Sequence, residues 1–163
     1  MMKYNIGFIG LGKLGSPVVE VIKQKHNVVS FDIKYKNNVF DKCVIGQDII
    51  FIAVPTPHEE QYDGKYVCSD LEPKDFDYSI VEDTLKKIDQ LSTENQIIVL
   101  ISTVLPGTIK NKLSKLITKG SLLYNPYLIA MGTVKEDFIN PEMIMIGGNN
   151  TEAILTLKKF YYT

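Results

Sequence analysis

The chain has 163 residues, 45% of them apolar, and its 18 basic and 19 acidic residues leave a net charge of −1. This is the size and composition of one globular domain able to bury a core. The balanced charge gives no footprint for nucleic acid or a membrane surface. No run of about 18 apolar residues offers a membrane span. Met1-Met2-Lys3-Tyr4-Asn5 leads straight into a strand pattern, so no secretory signal is expected. Cys43 and Cys68 form neither a disulfide framework nor a metal-ligand spacing, so no metal is expected and a reducing cytoplasm fits.

Asn5 to Ile9 is an apolar run that stops at glycines and reads as a buried strand. Lys13 to Lys25 carries Leu14, Val18, Val21 and Ile22 at helical spacing, with Pro17 in the first turn, where its missing N–H costs little. Asn27 to Phe31 is a second strand, ending at Asp32. These three segments make a βαβ unit. Lys34 to Gln47 is mixed: a short helix or turn, then a short strand at Cys43–Ile45. Ile49 to Val54 is apolar throughout, as in a strand covered on both faces of a parallel sheet.

His58 to Lys74 is polar, with an Asp63-Gly64 turn signal, and reads as a loop. Tyr78 to Leu91 has helical spacing, with Asp77 as its cap. Gln96 to Ile101 reads as a strand, Pro106 to Thr118 as a helix, and Leu122–Tyr124 and Met143–Ile146 as short strands. Thr151 caps a last helix running to Phe160. The alternation predicts an α/β fold of Rossmann type, doubly wound, with a mostly parallel sheet and helices on both faces.

Gly10-Leu11-Gly12-Lys13-Leu14-Gly15 is a G-x-G-x-x-G between a strand and a helix, the context in which that motif binds a dinucleotide. The first glycine permits the turn, the second lets the backbone approach a pyrophosphate, and the third lets helix and strand pack closely. The helix start offers N–H groups to the phosphates, so Lys13 and Leu14 join the three glycines as cofactor-binding candidates. Asp32, 22 residues after Gly10, is placed to bond the adenosine ribose hydroxyls. A carboxylate there repels a 2′-phosphate, which favours NAD over NADP, although Lys34 stands close by.

Val54-Pro55-Thr56-Pro57 ends one strand and Ser102-Thr103-Val104-Leu105-Pro106-Gly107-Thr108 ends another, followed by Asn125-Pro126 and by Asp137-Phe138 with Pro141 and Gly147. With the glycine loop, these stretches resemble the NAD-binding domain of the UDP-glucose/GDP-mannose dehydrogenase family over nearly the whole chain. The resemblance implies oxidation of a nucleotide sugar's C6 hydroxyl towards a carboxylate, with NAD as oxidant. It implies cofactor contacts from Val54, Pro55, Thr56, Ser102 and Thr103, and a catalytic role for Thr103 in holding a water or substrate oxygen. Read as residues alone, Ser102 or Thr103 serves equally well as a cap on the following helix.

Two departures set limits. Where the family runs Glu-Phe-Leu-Arg-Glu-Gly, this chain has Tyr127-Leu128-Ile129-Ala130-Met131-Gly132, so Tyr127 and Met131 replace two acids. The family's catalytic cysteine and lysine lie in a second half, past a central helix, and residues 1–163 are expected to be a single cofactor domain without it. A non-catalytic NAD-binding module is the competing reading. The β-hydroxyacid dehydrogenases share the glycine loop, but Val54-Pro55-Thr56-Pro57 argues against them. The expected partners are NAD, a nucleotide sugar held jointly with the missing half, and a second copy of the chain through apolar surface left exposed.

Overall fold

The computed structural model describes residues 3–65, 69–130 and 132–162. Cys68 and Met131 therefore lie outside the described residues. Five strands form one all-parallel sheet: β1 (Asn5–Ile9), β2 (Asn27–Phe31), β3 (Ile49–Ile52), β4 (Ile97–Leu100) and β5 (Ser121–Tyr124), in the order β2-β1-β3-β4-β5. Both faces are covered. The alternation along each strand therefore sends apolar side chains both ways, which explains why the sequence shows unbroken apolar runs instead of a polar–apolar alternation.

One face carries Ile6, Phe8, Ile49, Phe51, Ile97 and Val99. Helices α1 (Gly15–Ile22), α4 (Val134–Ile139) and α5 (Thr151–Tyr161) cover it with Val18, Val19, Val134, Leu157 and Phe160. The other face carries Ile9, Ile50, Ile52, Ile98 and Leu100, covered by Val81, Leu85 and Ile88 of α2 (Ser79–Leu91) and by Leu113, just past α3 (Thr108–Asn111). Each fully buried Ile or Phe contributes about 1.5–3 kcal/mol of transfer free energy. The doubly wound, Rossmann-type expectation holds. The strand order reverses at β1, so the ligand crevice of such a sheet opens beyond the C-terminal ends of β1 and β3.

Four local expectations are corrected. Cys43–Ile45 is not a strand. Phe40–Cys43 is a 3-10 turn whose Cys43 carbonyl presses on β1, so that a Cβ on Gly7 would lie 1.8 Å from it. Cys43 is buried, as a small core residue, and desolvation pushes its thiol pKa up to about 11. The helix foreseen over Pro106–Thr118 is four residues of α3 and then a 3-10 turn, Leu113–Leu116. Gly107 enters it at φ 89°, and the Ser114 hydroxyl bonds the Lys110 carbonyl, competing with a continued helix. Met143–Ile146 forms no strand: Met143, Ile144 and Met145 are exposed and pairing is limited to one antiparallel bridge, Tyr124 with Gly147. The cap of α5 is Asn150, not Thr151, because the Asn150 side chain accepts the N–H groups of Glu152 and Ala153. Helix α4 was not foreseen. The Asp137 carboxylate secures its start by accepting from the Thr133 hydroxyl (2.7 Å) and the Ala130 N–H (2.9 Å).

His26, between α1 and β2, is buried between Tyr4 and Phe160, with ring centroids 5.6 and 5.1 Å away. Its Nδ1 accepts the Tyr4 N–H (3.3 Å), and burial, reinforced by Lys25 and Lys3, lowers its pKa.

Candidate cofactor site

The three motif glycines occupy three different environments. Gly10 has φ 101°, a left-handed conformation that disfavours any side chain, and a Cβ there would fall 2.3 Å from the Ala53 carbonyl of the β3 end. Gly15 is buried where α1 crosses the loop, and its Cβ would meet the Gly10 carbonyl at 2.0 Å and the Phe8 ring at 3.0 Å. A Cβ on Gly12 would meet nothing within 4 Å. Two glycines are therefore required by the fold, and the middle one is required by nothing in the chain itself. Its bare backbone faces open space at the start of α1.

Neighbouring hydrogen bonds fix the loop. The Gly10 N–H donates to the Phe31 carbonyl (2.8 Å), the Ser16 hydroxyl to the Leu11 carbonyl (2.8 Å), and the Ser16 N–H to the Gly12 carbonyl (3.1 Å). Among the described residues, the N–H groups of Gly12, Lys13 and Leu14 have no acceptor, as expected of a helix start that carries positive partial charge. The helix has no side-chain cap either.

Asp32 stands immediately past β2. Its Oδ2 accepts the Leu11 N–H of the glycine loop (2.7 Å) and its Oδ1 the Lys34 N–H (2.9 Å). A carboxylate has about four acceptor positions, so two remain for a ligand's hydroxyls. The Lys34 side chain is exposed, and its backbone, not its ammonium group, engages Asp32.

A cleft of about 540 Å³ opens beside this carboxylate. Gly10, Asp32, Val54 and Pro55 line it, with Ile33, Phe40 and Asp41 on the β2 side and Ile80, Thr84 and Lys87 of α2 opposite. Lys34, Thr56, Ser102 and Thr103 are not among its lining residues. Lys13 lies in a separate hollow of about 420 Å³ with Pro17, Thr133 and Lys135. Of the predicted residues, Gly10, Asp32, Val54 and Pro55 share the cleft, whereas Gly12, Leu14 and Gly15 do not line it and the Ser102–Thr103 turn borders the β3 end from beyond β4.

In that turn Ser102 is buried and its hydroxyl donates to the Val54 carbonyl (2.7 Å), tying the ends of β3 and β4. Thr103 is exposed, and its hydroxyl is unengaged among the described residues. The turn is held by two tyrosines that the sequence did not single out for it. Tyr78 Oη accepts the Leu105 N–H (3.0 Å) while donating to the Asp75 carboxylate, and Tyr124 Oη lies 3.5 Å from the Val104 nitrogen. Burial, with Asp75 next, raises the Tyr78 pKa. The cap position of α2 is Tyr78, not Asp77 as expected, and it carries no side-chain cap bond; Asp77, one residue earlier, accepts the Ser79 N–H (2.9 Å).

Beyond β5, Tyr161 donates to Asn125 Oδ1, and its Oη lies 3.1 Å from Tyr127 Oη. The single Tyr161 proton is committed to Asn125, so Tyr127 is the donor of that second bond. Asn125 Nδ2 donates in turn to the Met145 carbonyl (2.7 Å). Burial, with Tyr161 beside it, holds the Tyr127 pKa well above the usual phenol range, and burial likewise raises that of Tyr161.

A family sequence model described as "UDP-glucose/GDP-mannose dehydrogenase family, NAD binding domain" matches residues 36–163. The chain belongs to that family. It is 32% identical over 142 residues to a UDP-glucose 6-dehydrogenase of Rickettsia prowazekii, covering 84% of this chain and 29% of the relative. A solved UDP-glucose dehydrogenase of Pyrobaculum islandicum superposes with a TM-score of 0.78 at 20% identity, over 99% of this chain and 44% of that one. A GDP-mannose dehydrogenase of Pseudomonas aeruginosa, solved as a ternary complex, gives 0.76 at 21% identity, over 96% and 44%. This chain thus spans under a third of the length of the curated relative. It is an NAD-binding domain of that family, which implies use of NAD(H). Among the described residues no helix is long and apolar enough to cross a membrane.

Proposed function

We propose that residues 1–163 are one cofactor domain that binds NAD across the ends of β1, β2 and β3, within a nucleotide-sugar 6-dehydrogenase whose substrate half lies outside these residues. One observation carries the reading: Gly12 is the glycine that the fold itself does not need, and it lies where a pyrophosphate would require bare backbone. The N–H groups of Gly12, Lys13 and Leu14 would hold the phosphates, Asp32 the ribose hydroxyls, and the cleft between Ile33, Phe40 and Ile80 the adenine. Its carboxylate makes NAD the preferred cofactor over NADP. NAD would supply the hydride acceptor, two molecules in turn for the four-electron oxidation of a C6 hydroxyl to a carboxylate. The exposed hydroxyl of Thr103 is the group of this chain free to hold a water or substrate oxygen near the reacting centre. The same reading places the protein in the cytoplasm and leaves its apolar surface to a second copy or to the missing half.

Tyr127 specifically favours a second reading, a non-catalytic NAD-binding module. It stands where the family carries an acid, and a buried phenol with a raised pKa accepts no proton near neutral pH. Turnover of UDP-glucose by residues 1–163 alone would exclude that reading. The test of cofactor binding is calorimetric titration with NAD, NADH and NADP, on this chain and on Asp32→Asn. NAD is expected to bind, NADP several-fold more weakly, and Asp32→Asn to narrow the gap. Absence of any NAD binding at millimolar concentration overturns the proposal.

A further inference from the structure

The 3-10 turn Phe40–Cys43, which the sequence left unresolved, presents a second carboxylate to the cofactor cleft. Asp41 lines the cleft from the same side as Asp32. The turn is held at both ends. Cys43 is fully buried and its carbonyl presses on Gly7 of β1, while the Phe40 ring meets Phe31, the last residue of β2, edge-on at 5.3 Å. The Asp41 carbonyl accepts the N–H groups of Val44 (3.0 Å) and Ile45 (2.8 Å). Its carboxylate makes no hydrogen bond or ion pair among the described residues and is exposed. A fixed backbone thus carries an uncommitted negative charge in the cleft that Asp32 also lines.

The other charges do not cancel it. Asp83, across the cleft on α2, is partnered by Lys86 at 3.7 Å, and among the described residues Lys87 is the one cation that lines the opening against Asp32, Asp41 and Asp83. Lys34 and Lys42 lie next in sequence to Ile33 and Asp41, yet neither lines the cleft.

We propose that Asp41 is a specificity-determining residue that acts with Asp32 to reject a ribose 2′-phosphate. This rests on the reading of the cleft as an NAD site. Asp32 accepts the ribose hydroxyls and is expected to affect both affinity and selectivity. Asp41 is expected to affect selectivity more than affinity, through repulsion of the added dianion. Repulsion between exposed charges is screened over about 10 Å at 0.1 M salt and about 3 Å at 1 M, so the effect of Asp41 fades with salt, unlike a contact.

The experiment measures the NADP-to-NAD ratio of dissociation constants for the wild-type chain, Asp41→Asn and Asp41→Lys, at 0.05 and 1 M NaCl. Asp41→Asn is expected to strengthen NADP binding more than NAD binding, lowering the ratio about threefold at low salt. Asp41→Lys lowers it further, and both effects shrink at 1 M. An unchanged ratio in a chain that still binds NAD overturns this proposal and leaves the cofactor site standing. An equal loss of both affinities also overturns it, by making Asp41 merely structural. No binding of NAD to the wild-type chain overturns both.

Discussion

Replacing Gly12 by alanine separates what the fold needs from what the cofactor needs. The φ of Gly12 lies outside the left-handed region, and a Cβ there meets nothing within 4 Å. Alanine is therefore compatible with the native backbone and narrows the unfolded ensemble, an effect of about 0.4–1 kcal/mol in favour of folding. For a domain of this size that raises the melting temperature by about 1–4 °C. The methyl group nevertheless fills the space that a pyrophosphate would use, and an NAD affinity at least tenfold weaker is expected, equivalent to about 1.4 kcal/mol. Gly15→Ala is the control with the opposite signature. Its Cβ would sit 2.0 Å from the Gly10 carbonyl, a backbone atom that can yield only by moving the loop or α1. A cost of about 2–4 kcal/mol follows by analogy with overpacked cores. Thermal unfolding by circular dichroism, paired with calorimetric titration of NAD, reads both variants. If Gly12→Ala melts as the wild type does and still binds NAD with wild-type affinity, no phosphate passes over Gly12 and the reasoning fails.

Two further predictions rest on buried polar groups. Tyr161→Phe strips the partner from both the Tyr127 hydroxyl and Asn125 Oδ1, and is expected to cost about 1–3 kcal/mol in urea denaturation; a loss under about 0.5 kcal/mol would show that the hydroxyl chain is idle. His26 has a lowered folded pKa, so the unfolded chain takes up the proton first. The stability it contributes is complete above pH ~6.5 and is lost as the pH falls from there through the folded value, and His26→Gln is expected to flatten that part of the stability–pH curve.

The sequence carried the first βαβ unit in full because each part of it is local. The strand is a short apolar run, the helix an amphipathic repeat, and Gly15 is a glycine because of the Gly10 carbonyl and the Phe8 ring a few residues away, whereas Gly10 answers both to its own turn and to the distant Ala53 carbonyl of the β3 end. Ile49–Ile52, Ser79–Leu91 and Ile97–Leu100 were legible for the same reason. The segments that misled are those whose conformation is decided from a distance. Cys43-Val44-Ile45 has the composition of a strand, but the position it would need is taken by the turn that packs against Gly7. Met143–Ile146 is apolar enough for a strand, yet among the described residues the strand-type pairing there is confined to Gly147 with Tyr124. Of the proposed cofactor site, Gly10, Gly12, Gly15 and Asp32 could be read from spacing. Asp41 could not, because an aspartate in a mixed stretch gives no signal until the turn is seen to face the cleft. Tyr78 and Tyr124, which support the Ser102–Thr103 turn, looked like ordinary members of a helix and a strand.

In the proposed site, cofactor recognition would rest mainly on backbone: a left-handed glycine, a bare glycine, a packed glycine and a helix start whose N–H groups are unclaimed among the described residues. The chemistry of an alcohol oxidation depends instead on side chains that accept a proton and hold an oxygen. Backbone geometry survives substitution wherever the fold survives, whereas a single exchange of side chain removes a proton acceptor. Tyr127 illustrates the difference. Its ring packs on Phe138 at 5.4 Å and its hydroxyl feeds Tyr161 and Asn125, so the position contributes packing and hydrogen bonding to the fold while offering no base near neutral pH. Binding of NAD by this domain and turnover of a sugar are therefore separable properties. Binding can be judged from residues 1–163, but turnover requires a proton acceptor that Tyr127 does not supply.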